Sequence, residues 1–497
     1  MAASQAIKQK AAELCSGRTS LKETYEHIAR FVRDSIPYHL DEWDVSAEEV
    51  LLKKKGMCAG KALLAVELYR AAGIPARYKV VRIPGEKGLF DFLLQQLEEP
   101  SRTTENQKEI AQAIRALPPH RDHIIVQVLL DGIWKELDLA RDSHMDRGMH
   151  LIGFPKETNV LSEEGPFDCL DEWLEKRMSR RSVTRERDAF FTIVNQQIER
   201  IRQIGRTWHQ AGFTTWTNAE IWNALRKWEL IPGCPIAPGT TDISQLAAMS
   251  RTSLGKYRVE DIITWLYALV RTNVKRGRFW YLPEALTHHR ADCLAYAQIM
   301  TFLATGFGMD ARIIEVIQDN RGNYVPHYVC MVHLKSGRKR LVDPWYGSAD
   351  VRHRIVAADV QQEDRTVTRQ LTMKELESFP RAYGLEPAHL AGISFYIKGN
   401  SYLEQGLVPE AIECYNASLW LYPANPRTLF NRALAFERLH QSEKSQADYQ
   451  YAFDIDPSCS RILATIAGMK SLMELDERGI EESEQERYLI RNGFLTG

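Results

Sequence analysis

Apolar positions recur along the first part of the chain with the period of a helix, and past residue 77 with the period of a strand. Leu21, Tyr25, Ile28 and Val32 predict a helix that Pro37 closes. Ser46 and Glu49 form a capping-box start for a short helix, SAEEVLLKKK. Gly56-Met57-Cys58 opens a longer one, with Ala62, Ala65, Leu68 and Ala72 along one face and Gly73 at its end. The runs YKVVRI (78–83), HIIVQVLL (123–130) and WKELDL (134–139) read as strands, the last two joined by the hairpin signal Asp131-Gly132. The polar stretch 84–122 is an insertion between strands, and QKEIAQAIRAL within it predicts a small helix.

The same pattern returns later in the chain. VEDIITWLYALVRTNV predicts the leading helix, Pro283 to Leu286 stand where SAEEVL stood, and Cys293 opens a helix with Ala297, Met300, Leu303 and Phe307 on its face. Strands follow at 312–318, 327–334 and 339–345, with Ser336-Gly337 between the last two. One constant offset carries Cys58, Gly73 and Arg77 onto Cys293, Gly308 and Arg312. It breaks where the second copy has a short loop, 319–326, in place of the insertion. Both arginines read as structural, closing the helix rather than reacting. Between the copies, 183–231 is rich in arginine and aromatic residues and predicts a bridging helical segment. Towards the C-terminus, Gly399, Tyr402, Ala411, Tyr415 and Pro423 recur at a second constant offset as Ala433, Phe436, Ser445, Tyr449 and Pro457. That period, about 34 residues, resembles the tetratricopeptide repeat, with helices at 372–390 and 460–474 expected to cap it.

Composition narrows the function classes. Lys+Arg (64) and Asp+Glu (65) nearly cancel, so overall charge points neither to nucleic acid nor to an anionic membrane. No run approaches the roughly 18 apolar residues of a membrane span, and MAASQAIKQKAAELCSG lacks the pattern of a secretory signal. The eight cysteines form no CxxC pair, which fits a reducing compartment, and the cytoplasm is the expectation. No EF-hand-like acidic loop appears, so calcium is not expected, and no cofactor is.

The candidate chemistry is that of a thiol. Cys58 and Cys293 both open helices, whose positive end lowers a thiol pKa. His123 and His327 start predicted strands, and Asp138 and Asp343 lie at nearly equal spacing beyond them, on the returning strand of each hairpin. Hairpin pairing brings each His and Asp together, so the carboxylate can orient the imidazole. Cys15, Cys169, Cys234, Cys330, Cys414 and Cys459 read as packing residues, with Cys330 facing away from His327. His288, His289 and Cys293 are a competing zinc set, but no second Cys/His pair stands nearby. Trp280, in Phe279-Trp280-Tyr281, is a candidate for lining an acyl pocket, and its neighbours read as packing under the helix.

The helix-opening Cys, the GIPAR-like helix end, a strand His and a hairpin-return Asp resemble the transglutaminase-like superfamily of papain-type thiol enzymes. The resemblance implies Cys58 and Cys293 as nucleophiles, His123 and His327 as general base and acid, and Asp138 and Asp343 as orienting groups. It departs from the family at Ile124 and Ile125, at Met309-Asp310, and at Leu139 after the first Asp. The expected class is α+β: two transglutaminase-like (papain-like) domains in tandem followed by an all-α helical-repeat domain. The boundaries are 1–182 with insertion 84–122, a helical bridging segment over 183–250, 251–385, and 386–497. The implied function is cysteine-dependent acyl transfer or hydrolysis of a peptide or carboxamide through a thioester, on a protein or peptide substrate, with the repeats recruiting a protein partner. Water as acceptor makes a protease or amidase; an amine makes a crosslinker or an amide-forming biosynthetic enzyme. The alternative is a non-catalytic scaffold built on degenerate copies. Which copy reacts stays open.

Overall fold

The computed structural model describes residues 4–43, 45–84, 120–153, 160–178, 186–237, 240, 242–362, 365–380 and 382–456, besides positions 94, 108, 111, 112, 114 and 115. Most of the insertion with its expected helix therefore lies outside the described residues. So does everything beyond residue 456, with Pro457, Cys459 and the expected 460–474 helix. The described chain forms two compact units, 1–212 and 213–497.

The first unit begins with a helix the hydrophobic reading passed over. Helix α1 (Gln5–Cys15) is capped by Ser4 and buries Ile7, Ala11 and Leu14, an i, i+4, i+7 face. Helix α2 (Leu21–Arg30) runs into a π turn, Phe31–Ser35, before Pro37. Helix α3 (Ala47–Lys53) has the expected reciprocal capping box of Ser46 and Glu49. Helix α4 (Cys58–Ala71) is buried well beyond the expected face, including Ala59, Leu64 and Val66. It lies between α1, α2 and α3 and the strands β1 (Ala76–Pro84) and β2 (His120–Leu130). Strands β3 (Ile133–Leu137) and β4 (Ser162–Phe167) complete an antiparallel sheet of order β3-β2-β1-β4. Asp131 and Gly132 turn the β2–β3 hairpin with positive φ at both positions (53° and 77°), as a tight primed turn requires.

Helices α5 (Ser143–Leu151), α6 (Asp171–Met178) and α7 (Glu186–Gln210) follow. Helix α7 crosses α5 at bare backbone: a Cβ on Gly205 would stand 1.9 Å from the His144 carbonyl oxygen. The buried Arg202–Asp142 ion pair (2.9 Å) ties the same two segments. Helix α7 thus packs on the first unit. Helices α8 (Asn218–Leu225) and α9 (Ile243–Ser253) instead bury Ile221, Leu225, Ile243 and Leu246 in the second. The stretch 183–250, read as one bridge, is shared between the two units.

In the second unit α10 (Val259–Asn273) leads to the paired short strands β5 (Lys275–Arg276) and β6 (Arg290–Ala291), which flank α11 (Leu282–His288). Helix α11 ends on a left-handed residue, His289, as α3 ends on Lys54, both with φ 53°. Helix α12 (Cys293–Gly306) precedes β7 (Asp310–Gln318), β8 (Tyr324–His333) and β9 (Lys339–Val342). Strands β10 (Ile355–Gln362) and β11 (Arg365–Thr372), which the sequence reading did not name, extend the antiparallel sheet to β11-β10-β7-β8-β9, with β12 (Ala382–Tyr383) on β10. The helix expected over 372–390 is divided: α13 covers only Met373–Ser378, and α14 (Pro387–Glu404) starts after β12.

Helix α14 pairs with α15 (Val408–Leu421), and α16 (Pro426–Arg438) with α17 (Ser442–Ile455). Gly399 is small because Tyr415 packs across it; a Cβ there would meet Cε1 at 2.5 Å. The repeat helices also pack on the sheet. Ile393 shares an apolar cluster with Cys293, Leu294, Ala297, Ile313 and Tyr328, with Leu390, Ile397 and Tyr422 against it. Arg427 of α16 is buried and donates to Glu315 on β7 and to the Tyr328 hydroxyl on β8.

Candidate active site

Helix α4 presents Cys58 at its first position. Strand β2 carries His123 opposite Val81 of β1, and β3 ends at Leu137, so Asp138 stands one residue past the strand expected to hold it. His123 Nε2 lies 2.9 Å from Asp138 Oδ2, and the Ala140 N–H donates to Asp138 Oδ1 (3.0 Å). With Nε2 given to the carboxylate, Nδ1 is left for the thiol, and Cys58 and His123 interact by hydrogen bond and charge. Burial alone would push the Cys58 thiol up. The His123 hydrogen bond and charge, the Ile124 N–H and Arg121 outweigh it and leave the thiol below its ordinary value. Burial likewise opposes the His123 charge, but Asp138 and Cys58 carry the imidazole up to about 10. Asp138, despite burial that would raise it, is held well below the usual carboxylate range by His123 and the Ala140 N–H. A thiolate–imidazolium pair is the state these shifts favour.

In the second unit Cys293 opens α12, and His327 Nε2 lies 2.7 Å from Asp343 Oδ2, again one residue past its strand. The same carboxylate oxygen accepts from His353 Nε2 (3.1 Å), and the Tyr346 N–H donates to Oδ1 (3.1 Å). Two differences separate this set from the first. One is charge at the helix start. Residue Met57 caps α4 with no side-chain hydrogen bond, whereas Asp292 caps α12 and accepts from the Ala295 N–H (3.0 Å). Burial raises the Asp292 carboxyl to about 7. Burial and then Asp292 push the Cys293 thiol up, and His327 does not reverse it. Asp343 and Cys293, each through charge and hydrogen bond, carry the His327 imidazole up to about 10 against its burial. Asp343 stays low through His327 and His353 against the burial that would raise it.

The other difference is cover. Both cysteines are 8% exposed. Around the first, however, the His123 and Asp138 side chains are 12% and 45% exposed, while around the second His327 and Asp343 are 1% each. The repeat helices lie over the second thiol through Ile393 and Tyr422.

The remaining expectations divide. Trp280 packs edge-on against Phe213 (5.4 Å) and beside Tyr281 (5.9 Å). Phe279 stacks on His288 at 4.3 Å, and His289 Nδ1 lies 3.3 Å from the Asn273 carbonyl, so neither histidine is arranged with Cys293 as a zinc set. Arg77 donates to Gln127 (2.8 Å) and lies over Trp134, a structural place on β1. Cys330 and Cys414 are packed and pushed up to about 12 by burial, but Cys169 is exposed and does not pack. Among the described residues, His327, Asp343 and His353 offer three donor atoms within 4.8 Å of one another. Their 2.7 and 3.1 Å separations are hydrogen bonds; donors on a tetrahedral zinc with bonds of about 2.0–2.1 Å stand roughly 3.3 Å apart.

Sequence reasoning missed Asp292 and His353. Asp292 was legible as a side-chain cap directly before a helix start. His353 lies in VRHRIV, where nothing marks it.

Residues 8–139 match the transglutaminase-like superfamily, and residues 399–439 match a TPR repeat. The chain carries a transglutaminase-like domain and a TPR repeat. Curated relatives include the heat-shock protein cognate (HSC) co-chaperone sgt12 of Aspergillus fumigatus, 33% identical over 91 residues, which are 17% of this chain and 27% of that protein. RNA polymerase II-associated protein 3 is 36% identical over 67 residues in Gallus gallus (14% of this chain, 10% of that protein). The Homo sapiens protein is 29% identical over 97 residues (20% and 15%). The chain thus spans about a quarter or less of the length of these relatives. No solved structure matches. Among the described residues no helix is long and apolar enough to cross a membrane.

Proposed function

We propose that the first unit catalyses cysteine-dependent acyl transfer or hydrolysis at a peptide or carboxamide bond, with Cys58 as nucleophile, His123 as general acid and base, and Asp138 orienting His123. The observation that carries the reading is the thiol of Cys58 held below its ordinary value by an imidazole that Asp138 engages at 2.9 Å. The thiolate adds to the carbonyl carbon, and the oxyanion forms against N–H groups of the first turn of α4, which have no intrahelical acceptor. As the carbon–nitrogen bond breaks, His123 gives its proton to the departing amine, leaving a thioester on Cys58. His123 then takes a proton from the acceptor, water or an amine, as that acceptor attacks, and the thiolate leaves. The superfamily match over 8–139 supports the reaction class.

The second set, Cys293, His327 and Asp343, is read as a second copy of the same domain. A single offset carries the start of α3 onto that of α11 and the start of α4 onto that of α12, and the left-handed ends at Lys54 and His289 match, all of which supports it. Its raised thiol and covered histidine favour a scaffolding role for this copy. The helical repeats are assigned to recruiting a protein or peptide partner, which the TPR match and the co-chaperone relative support. The test of the catalytic reading is incubation of the intact protein with a glutamine-containing casein and a labelled primary amine, scoring both amine incorporation and new peptide termini. Activity lost in Cys58→Ala and kept in Cys293→Ala is expected. Activity lost only in Cys293→Ala would overturn the assignment.

A further inference from the structure

Lys61 lies three residues past Cys58 on α4, and it is 0% exposed. A lysine fully inside a core needs a reason, since its desolvation is costly unless its donors are met. Here Nζ donates to two backbone carbonyls, Arg33 (3.1 Å) and Ala140 (2.9 Å). Arg33 belongs to the π turn after α2, and Ala140 to the loop that follows Asp138. Those two segments are also joined directly, because Asp34 Oδ1 accepts from the Ser143 N–H (2.9 Å). The Ala140 peptide is therefore held from both ends: its carbonyl by Lys61, its N–H by Asp138 Oδ1 (3.0 Å), whose other oxygen engages His123 (2.9 Å).

We propose that Lys61 is a positioning residue of the first site, tying the helix that carries Cys58 to the loop that carries Asp138 and so holding Asp138 against His123. The inference rests on Cys58 being the reactive thiol. Two further observations bear on it. A neutral amine has two N–H donors, matching the two carbonyls, and burial lowers Lys61 to about 7, with Asp142, Asp138 and Asp34 opposing and Arg202 assisting. The second unit also holds the carbonyls behind its aspartate, by another route. There Arg271 donates to the Pro344 carbonyl (3.0 Å) and Arg276 to that of Trp345. Tyr296, three residues past Cys293, instead bonds the Val274 carbonyl (2.9 Å).

The experiment is the pH profile of Cys58 alkylation by iodoacetamide in the intact protein, read site by site by mass spectrometry, for wild type, Lys61→Met and Lys61→Gln. Lys61→Met removes the donors at similar volume. Its profile is expected to move towards higher pH by about one unit, a roughly three- to fourfold slower labelling at mildly acidic pH once the more basic thiolate's greater nucleophilicity is counted. Lys61→Gln keeps two donors on a side chain one bond shorter, and an intermediate shift is expected. A cooperative melt establishes that each variant is folded, and if Lys61→Met does not fold, the Gln variant decides. A folded variant with the wild-type profile would overturn the positioning role. If wild-type Cys58 itself labels no faster than exposed Cys169, the catalytic reading fails and the positioning role falls with it, an outcome read on the wild type alone and so distinct from an unchanged profile in the variants.

Discussion

Replacing His123 by Gln tests the electrostatics of the first site with little change in shape. The Gln Nε2 reaches the place of the imidazole Nε2 and donates to Asp138, so the carboxylate is not left bare, but the positive partner of the thiolate is gone. Two unit charges about 4 Å apart at an effective dielectric of about 20 interact by roughly 4 kcal/mol, or about 3 pKa units. Burial then acts on Cys58 with only the Ile124 N–H and Arg121 against it, and the thiol rises from below its ordinary value to above it. At a pH under both thiol values the thiolate fraction falls about 1000-fold, while the more basic thiolate is about 20-fold more nucleophilic, from a Brønsted slope of about 0.4–0.5. The net loss in alkylation rate is therefore about 50-fold at mildly acidic pH, shrinking as pH rises towards the variant's own thiol value. The assay is the second-order rate of iodoacetamide labelling of Cys58, with exposed Cys169 in the same molecule as internal reference. An unchanged rate and an unchanged midpoint in the folded variant would refute the coupling.

Asp292→Asn keeps the cap of α12 but removes its charge, and the Cys293 thiol is expected to fall by about one unit, read as thiolate absorbance against a Cys293→Ser reference. Arg427→Met leaves Glu315 buried without its cation, a loss of about 3–5 kcal/mol in denaturant unfolding that a second change, Glu315→Leu, largely recovers. Ile393→Asp puts a charge into the apolar cluster over Cys293, and faster alkylation of Cys293 with Cys58 unchanged is the expected result by mass spectrometry. Gly205→Ala drives a Cβ into the His144 carbonyl oxygen, and a destabilisation of at least about 1–3 kcal/mol is expected in thermal melts.

The candidate site residues were legible because each sits where local physics announces it: Cys58 and Cys293 at helix starts, the histidines on strands, the aspartates after a tight turn. Each aspartate falls just outside its strand, since β3 and β9 end at Leu137 and Val342. That offset frees the carboxylate to accept a backbone N–H of its own turn. Helix α1 was equally visible in the spacing of Ile7, Ala11 and Leu14, which the sequence reading did not use. Other features come from contacts distant in sequence. Lys61 reads as a surface residue on an alanine-rich helix, and only the carbonyls of Arg33 and Ala140 make its burial tolerable. The packing of Ile393 over Cys293 and of Arg427 on Glu315 joins segments far apart along the chain, and no local pattern encodes it. The difference in charge between the two helix starts lay in a single position, Met57 against Asp292.

The central claim is that Cys58 is the activated thiol of this chain. It is tested most directly by limiting iodoacetamide at mildly acidic pH on the intact wild-type protein, with the extent of labelling followed at every cysteine over time. Cys58 is expected to label first, ahead of Cys293 and of the more exposed Cys169. Labelling in order of exposure, with Cys169 ahead of Cys58, would contradict the account.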